Sequence, residues 1–222
     1  MKTIVSWSSG KDSAWALHTL RQTPGIEVVG LLTTLDGTRQ RVGMHGTRRE
    51  IVEAQAMAAG LPVEVLELPG PSVPNAEYET IMAGFVARAL ARGVEAVAFG
   101  DLYLEDIRAY RESRLAGTGL KPLFPLWGRD TATLAREMIA SGLDARVVAI
   151  DLGHVPRALA GTPFDAAFLA ALPAGTDPCA EKGEFHTVVV GGPMFATPFD
   201  AVVGPVTEEG GYAFADLRLR RS

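Results

Sequence analysis

A short polar run near the start of the chain has the composition of an anion-binding loop. An apolar β run ends at Trp7, and a helical stretch, AWALHTL, begins at Ala14; between them lie Ser8, Ser9, Gly10, Lys11, Asp12 and Ser13. Backbone N–H groups at a helix N-terminus stabilise negative charge, serine hydroxyls add donors, and a lysine adds a full positive charge. The order strand, loop, helix therefore predicts a phosphate site. The alternative is a serine-rich turn that only begins a helix.

Asp12 distinguishes this loop from a plain anion site. A carboxylate beside bound phosphates either orients Mg²⁺ or caps the first turn of the helix, and the sequence leaves both roles open. The Walker A pattern is excluded because Val5 stands where it needs glycine and Asp12 where it needs Ser or Thr. The dinucleotide pattern G-x-G-x-x-G does not occur in the sequence.

The elements around this loop alternate between β-branched runs and helical patterns. Strands are predicted at 3–5, 28–33, 63–66 and 94–99, and a helix from Asn75 to Arg92. Such alternation predicts an α/β fold with a Rossmann-like, parallel, twisted sheet flanked by helices. Ligands of such sheets bind beyond the carboxyl ends of the strands, where the polar loop falls.

The pattern changes near Pro122 and Pro125, so we expect a nucleotide-binding domain over 1–120 and a smaller C-terminal α/β subdomain over 121–222. Asp130 is predicted to cap a helix ending near Gly142, and the letters ARVVAI predict a strand. The pair Thr162-Pro163 predicts the start of a short helix, with Phe164, Phe168 and Leu172 on one side. The last forty residues are expected to form short strands and turns.

A second group of polar residues follows the predicted strand at 94–99. Gly100 and Asp101 stand at its carboxyl end, where a carboxylate suits a Mg²⁺ or substrate contact. Asp101, Glu105, Arg108 and Glu112 are spaced to share one face of a helix. Ion pairs on a solvated face explain the last three equally well.

Composition excludes several classes of protein. The chain has 222 residues, 47% of them apolar, which predicts a folded chain with a sizeable core. A net charge of −5 without a basic block disfavours nucleic acid as a partner. One cysteine and four widely separated histidines give no metal-ligand spacing. No stretch reads as a signal peptide or a membrane span, which predicts a cytoplasmic protein.

The letters SSGKDS resemble the SGGxDS signature of the PP-loop ATP pyrophosphatases, in the adenine nucleotide alpha hydrolase-like (HUP-type) superfamily. That resemblance implies cleavage of ATP to AMP and pyrophosphate, with the loop gripping the pyrophosphate. Ser9 stands at the second glycine of the signature. A side chain there costs roughly 1–2 kcal/mol if the backbone is left-handed.

Four motifs in order, WSSGKDS, FGDLYLEDIR, PLFPLWGRDT and DPCAEKGEFHT, are similar to the diphthine ammonia ligase branch, the diphthamide synthase domain family. The late signature of that branch reads close to CGENGEFHT. Ala180 and Lys182 replace its glycine and asparagine, whereas Cys179, Glu181 and Gly183 to Thr187 match.

This resemblance implies an ATP-dependent, AMP-forming ligase with ATP and Mg²⁺ as cofactors. A carboxylate of the acceptor, a small molecule or a modified protein residue, takes AMP and pyrophosphate leaves; ammonia then attacks the acyl adenylate. Lys11 and the carboxylates Asp12 and Asp101 are expected to be catalytic, the carboxylates also as Mg²⁺ ligands. Glu184 and His186 are expected to position ammonia or take its proton. The resemblance places nucleotide contacts at Thr33, Met44 and His45, with the loop and Gly100.

Several alternatives stay open at this point. His186 and His45 each fit a loop histidine without a catalytic role, and a single Cys179 fits a structural role better than a nucleophile. A regulatory protein that binds ATP or AMP without catalysis is one alternative function, and an ATP-dependent tRNA modifier is another. The sequence leaves open the acceptor, the amine donor and a homo-oligomeric state.

Overall fold

The structure is a computed structural model that describes residues 1–43, 46–70 and 73–220. Within these ranges, one sheet contains β1 (Lys2–Ser6), β2 (Glu27–Asp36), β3 (Arg41–Val42), β4 (Val63–Leu68), β5 (Ala96–Ala98) and β6 (Lys121–Leu123). Strand β1 pairs in parallel with β2 on one side and β5 on the other. The outer pairs, β2 with β4 and β5 with β6, are also parallel. Only the short β3 runs antiparallel to its neighbour among these strands.

The α-helices of the described chain are α1 (Lys11–Arg21), α2 (Arg49–Ala59), α3 (Asn75–Ala91), α4 (Glu105–Leu115), α5 (Thr131–Ala140) and α6 (Ala166–Ala171), and a short 3-10 helix covers Arg157–Leu159. Apolar residues of α1 and α2, such as Trp15 and Ala58, belong to the largest buried cluster. Phe85 and Ala89 of α3 pack with Ile4 and Val97 in a separate cluster. Helices therefore pack against both faces of the parallel sheet, as predicted for an α/β fold.

A second sheet is antiparallel and follows the order β8-β7-β10-β9. Its strands are β7 (Asp144–Asp151), β8 (Phe185–Gly191), β9 (Ala201–Glu209) and β10 (Tyr212–Leu219). Val147 and Val189 from this sheet share the largest cluster with α1. Ile51 of α2 packs against two further residues of the second sheet, Val148 and Val188. The two sheets are thus joined through α1 and α2.

Most predicted elements of the first half are confirmed with shifts of a few residues: β1, β2, β4, β5 and α3 all form. The cap prediction is also confirmed, since the Asp130 carboxylate accepts a hydrogen bond from Thr133 N (2.8 Å) at the start of α5. The predicted strand ARVVAI is part of β7. No helix among the described residues is both long and apolar enough to cross a membrane.

Three predicted details differ from the structure. The short helix predicted to start at Thr162-Pro163 begins at Ala166, because Asp165 rather than Thr162 caps it through Phe168 N (2.8 Å). Asp101 does not share the helix face of Glu105, because α4 begins only at Glu105. In addition, the C-terminal strands are longer than expected, at 7 to 9 residues each.

Candidate functional site

The SSGKDS loop lies at the point where the strand order of the parallel sheet reverses. Strand β1 ends at Ser6 and α1 begins at Lys11, with Gly10 as its N-cap residue and no side-chain cap. Because β1 lies between β2 and β5, the loop lies at the carboxyl ends of the strands, beside the point where the strand order reverses. The N-terminus of α1 therefore faces the position at which such sheets bind ligands.

Ser9 adopts a left-handed backbone conformation, with φ of 70°. This explains why the PP-loop signature has glycine at the same position, since a side chain costs roughly 1–2 kcal/mol in this region. The Ser9 hydroxyl donates to Thr47 Oγ1 (2.7 Å), which offsets part of the strain. The Ser9 carbonyl accepts hydrogen bonds from Gln55 Nε2 (2.9 Å) and Val189 N (3.0 Å). Both α2 and β8 thus fix the loop conformation.

Gln55 on α2 is fully buried and connects three parts of the protein. Its Oε1 accepts from Trp7 Nε1 (2.8 Å) next to the loop. Its Nε2 donates to Ser9 O and also to Val189 O (2.7 Å) on β8. One side chain therefore ties the phosphate loop to the second sheet.

The other serines of the loop bond mainly to one another. Ser8 Oγ lies 3.2 Å from Ser13 Oγ, and it also accepts from Gly10 N at 3.4 Å. Ser13 Oγ is also within 3.0 Å of Gly10 O. These contacts hold the loop closed on itself as the helix begins.

Lys11 points into the protein, not toward solvent, and is only 2% exposed. Its Nζ donates to Asp12 Oδ2 (2.9 Å) and to the carbonyl of Cys179, and it lies over the rings of Phe164 and Phe185. Burial lowers the pKa of Lys11, but the Asp12 carboxylate and its other neighbours more than offset this and leave the pKa raised. The ammonium is therefore charged and holds Asp12 in place; direct contact with phosphate stays a prediction.

Gly100 allows β5 to approach the first turn of α1 closely. A Cβ on Gly100 would lie 2.8 Å from the Asp12 carbonyl carbon and 2.9 Å from Ser13 N, closer than real side chains come. The next residue, Asp101, is thereby brought to the mouth of the loop. Its partner is Arg111 of α4 (Oδ2 to Nε, 3.6 Å).

Burial raises the pKa of both Asp12 and Asp101. Lys11 lowers the Asp12 pKa only in part, and the negative charge of Asp12 adds to the rise at Asp101. Asp12 Oδ1 and Asp101 Oδ2 are buried without a hydrogen-bond partner in the described part of the chain. A cation bound near both groups would favour their charged forms and so lower both pKa values.

A turn from the second half of the chain covers the end of β5. Glu181 Oε1 accepts hydrogen bonds from Leu102 N (2.7 Å) and Tyr103 N (3.4 Å). Asp177 Oδ2 holds this turn by accepting from Tyr103 Oη and Glu181 N, each at 3.0 Å. Burial, with smaller effects from Asp12 and Asp101, raises the pKa of Glu181 to about 7. A carboxyl group that titrates near neutral pH thus lies at the mouth of the site.

Glu184 and His186 lie where the same segment enters β8. Glu184 is 7% exposed, and its Oε2 has no hydrogen-bond partner among the described residues. Its backbone carbonyl accepts from Asp151 N (2.9 Å), which fixes its place beside β7. His186 is half-buried and stands opposite Ala149 in the register of β7 and β8. Their roles toward ammonia stay predictions.

Four further positions considered in the sequence are Thr33, Met44, His45 and Cys179. Thr33 lies on β2 and is buried, and its hydroxyl has no hydrogen-bond partner in the ranges that the structure covers. Met44 and His45 lie outside the described residues. Cys179 is 1% exposed and its Sγ contacts Thr131 O (3.3 Å). Burial raises the pKa of that thiol to about 12, which supports the structural role.

Sequence reasoning missed several residues that build this site. Gln55 and Thr47 hold Ser9, Thr187 Oγ1 accepts from Lys11 N (3.1 Å), and Glu181 bonds the end of β5. Glu181 and Thr187 stand in the late motif, so that motif could have indicated them. Nothing in the spacing of Gln55 marks it, because an isolated glutamine on a helix has no pattern.

The carboxylates of this site match a Mg²⁺ ion that takes its remaining ligands from substrate and water. No group of three or more His, Cys, Asp and Glu side chains in the described ranges is placed to hold a metal by itself. Mg²⁺, however, is commonly bound by one or two carboxylates together with substrate phosphates and waters. Asp12 Oδ1 and Asp101 Oδ2, which accept no hydrogen bond from the described residues, match that smaller requirement, although Arg111 forms a long ion pair with Asp101 Oδ2.

Comparison with known proteins gives consistent results. The family model for the diphthamide synthase N-terminal domain matches residues 1–122. The diphthine–ammonia ligases of Bos taurus and Homo sapiens are each 26% identical over 248 aligned positions, which cover all of this chain and 90% of theirs. The diphthine–ammonia ligase of Schizosaccharomyces pombe is 28% identical over 88% of this chain, but that stretch is 35% of its own length.

Among solved structures, an NADPH-dependent quinone oxidoreductase from Escherichia coli covers 79% of this chain and 65% of its own. The sequence identity of this match is 16% and its TM-score is 0.30. The family model covers more than half of the chain, and its match contains the phosphate loop, Gly100 and Asp101. The chain belongs to the diphthamide synthase N-terminal domain family.

Proposed function

We propose that this protein is an ATP-dependent amide ligase that forms AMP. A carboxylate oxygen of the acceptor attacks the α-phosphorus of ATP, the bond from that phosphorus to the β-phosphate oxygen breaks, and pyrophosphate leaves. The nitrogen of ammonia then attacks the acyl carbon, AMP leaves, and the nitrogen loses a proton to a base. The proposal follows the relatives named diphthine–ammonia ligase, which supply the reaction type.

The observation that carries this proposal is the loop at 8–13. Its place at the start of α1 and its position at the strand-order reversal support a phosphate site, and its left-handed Ser9 stands at the second glycine of the PP-loop signature. Hydrogen bonds from the second sheet and α2 to the Ser9 carbonyl fix the loop in this shape. Such preorganisation lowers the cost of positioning the phosphates.

The carboxylates divide into two roles. Asp12 and Asp101 would hold Mg²⁺, which neutralises negative charge on the phosphates when it is bound. Lys11 fixes Asp12 through the 2.9 Å ion pair. On the acceptor side, Glu184 and His186 would position ammonia or remove its proton, as proposed from the sequence.

We further propose that 1–120 binds ATP and that 121–222 supplies the acceptor side. The second part contributes Glu181, Glu184 and His186, which lie in one motif. Ala180 in this motif is left-handed, with φ of 56°, at the position where the branch signature has glycine. Ala180 and Lys182 differ from the signature of the branch. We therefore propose the acceptor only by class, as a carboxylic acid, and diphthine is one candidate to be tested.

Isotope exchange between pyrophosphate and ATP tests the proposal. Exchange that needs an added carboxylic acid, followed by amide formation with ammonia, is the expected result. ATP binding without exchange for any acid would instead indicate a regulatory protein that binds the nucleotide.

Lys11→Ala and Asp12→Ala are both expected to abolish exchange. Lys121→Ala and Asp106→Ala remove the same charges at exposed positions and should leave it unchanged. Circular dichroism must show that each variant is folded, because Lys11 is buried. An unchanged rate in either loop variant would remove that residue from the mechanism.

A further inference from the structure

The turn at 177–184, which lies between α6 and β8, is organised by the carboxylate of Asp177. Asp177 Oδ1 accepts a hydrogen bond from Cys179 N (3.0 Å), and its Oδ2 accepts one from Glu181 N (3.0 Å). The backbone carbonyl of Asp177 also accepts from Ala180 N (2.8 Å). An aspartate that bonds the backbone following it fixes the shape of a turn. The first residue of the 177–184 turn therefore holds the rest of it.

Tyr103 joins this turn to the end of β5. Its hydroxyl donates to Asp177 Oδ2 (3.0 Å) across 74 positions of sequence, and its ring packs against the largest buried cluster. Burial alone would raise the pKa of Asp177, but hydrogen bonds, among them those from Cys179 N and the Tyr103 hydroxyl, hold that pKa below its ordinary value. The carboxylate is therefore charged at neutral pH, and its bond with Tyr103 is charge-assisted.

The same turn contacts the residues that hold the two carboxylates assigned to Mg²⁺. The Cys179 carbonyl accepts a hydrogen bond from Lys11 Nζ, which pairs with Asp12 (2.9 Å). Glu181 Oε1 accepts from the backbone N–H of the residue that follows Asp101 (2.7 Å). Each carboxylate is thus connected to the turn through one intervening residue. The position of Asp12 relative to Asp101 therefore depends on where the turn lies.

The alternative is that these bonds serve the packing of the fold alone. Asp12 Oδ1 and Asp101 Oδ2 argue against it, because both are buried and accept no hydrogen bond from the described residues. A buried polar atom without a partner destabilises a fold. A turn that served packing alone would have no reason to hold two carboxylate oxygens in this condition, whereas a turn that prepares a cation site would.

We propose that Tyr103 and Asp177 are positioning residues of the ATP site, and that the bond between them sets the position of Asp12 relative to Asp101. Both residues act through the 177–184 turn and not through a contact with the nucleotide. The inference rests on one part of the proposed function, the binding of ATP with Mg²⁺ at these two carboxylates. Loss of the bond lets the turn shift, and a shift of about 1 Å at a site can cost about a hundredfold.

Titration calorimetry of the full chain with ATP, once with excess Mg²⁺ and once with EDTA, tests this proposal. Tyr103→Phe removes one hydroxyl and keeps the ring. Its affinity for ATP with Mg²⁺ should fall about tenfold, the low end of the roughly 10–100-fold losses typical for outer partners of metal ligands, and its affinity in EDTA should stay within about twofold. Tyr110→Phe is the matched control, because Tyr110 is exposed on α4, and both of its affinities should stay unchanged.

A second variant tests whether the two residues act through their shared bond. Asp177→Asn keeps the size of the side chain but removes its charge and one acceptor oxygen, so a larger loss of affinity with Mg²⁺ is expected. Added to Asp177→Asn, the change Tyr103→Phe should weaken binding by less than about a further twofold, because coupled residues are not additive. Circular dichroism checks that each variant is folded. If Asp177→Asn is not, Tyr103→Phe decides the result alone.

The decisive quantity is the ratio of the ATP affinities with and without Mg²⁺. The same ratio in the Tyr103→Phe and Tyr110→Phe proteins would overturn the proposal. So would an equal loss of affinity with Mg²⁺ and with EDTA in Tyr103→Phe, which would indicate general damage to the phosphate loop, or no gain in affinity from Mg²⁺ in the unmodified protein. Pyrophosphate exchange reports separately on the ligase function: without exchange for any acid that function fails, whereas a loss specific to Mg²⁺ still supports the positioning role.

Discussion

Replacing Gln55 by leucine removes the side chain that ties the phosphate loop to the second sheet. Leucine has a similar volume but no hydrogen-bonding group. Gln55 is fully buried and makes three hydrogen bonds, to Trp7 Nε1, Ser9 O and Val189 O. The substitution therefore leaves the indole N–H of Trp7, itself 2% exposed, without its partner.

The magnitude follows from these contacts. A buried donor without a partner costs about 1–3 kcal/mol, and each of the two lost amide hydrogen bonds contributes about 0.5–1.5 kcal/mol. Burial of the leucine side chain offsets about 1–2 kcal/mol of this sum. The midpoints of these ranges give a free energy of unfolding for Gln55→Leu that is lower by about 2.5 kcal/mol.

Urea unfolding measures this loss as a lower midpoint with an unchanged slope. The control is Gln22→Leu at the exposed end of α1, which should change stability by no more than about 0.5 kcal/mol. ATP binding should also weaken in Gln55→Leu, because Ser9 O keeps only its bond from Val189 N. Equal midpoints for the two variants would refute the idea that Gln55 organises the loop.

Three further predictions follow from particular contacts. Gly100→Ala should destabilise the protein by about 1–3 kcal/mol and weaken ATP binding, as calorimetry would show, because its Cβ would meet the α1 backbone at 2.8 Å. Asp130→Ala should lower the free energy of unfolding by about 1 kcal/mol in urea, from loss of the cap on α5. Burial raises the pKa of Glu181 from 4.5 to about 7, so between these values the folded state holds a proton that the unfolded chain has lost. The unfolding free energy should therefore fall as pH rises through this window and level off above it, and Glu181→Gln should remove that part of the slope; parallel pH profiles of the two proteins would contradict this assignment.

The sequence predicted those features of the fold and of the site that depend on neighbouring residues. The loop at 8–13, the cap at Asp130 and the helix from Asn75 depend on residues within a few positions of one another. The expected cost of a side chain at Ser9 also corresponds to an observed feature, its positive φ. These features follow from helix capping, periodicity and backbone sterics.

Contacts between distant segments could not be predicted in this way. Lys11 contacts Cys179, 168 residues later, and Arg41 contacts Asp216, 175 residues later. The inward direction of Lys11 depends on the second sheet, whose position no spacing in the first half of the chain indicates.

The most direct test of the account is a crystal structure of the protein with ATP and magnesium. We expect the β- and γ-phosphates to lie against the backbone N–H groups and hydroxyls of residues 8–13, with the metal beside Asp12 and Asp101. A nucleotide bound at another place, with this loop in contact with solvent alone, would contradict it.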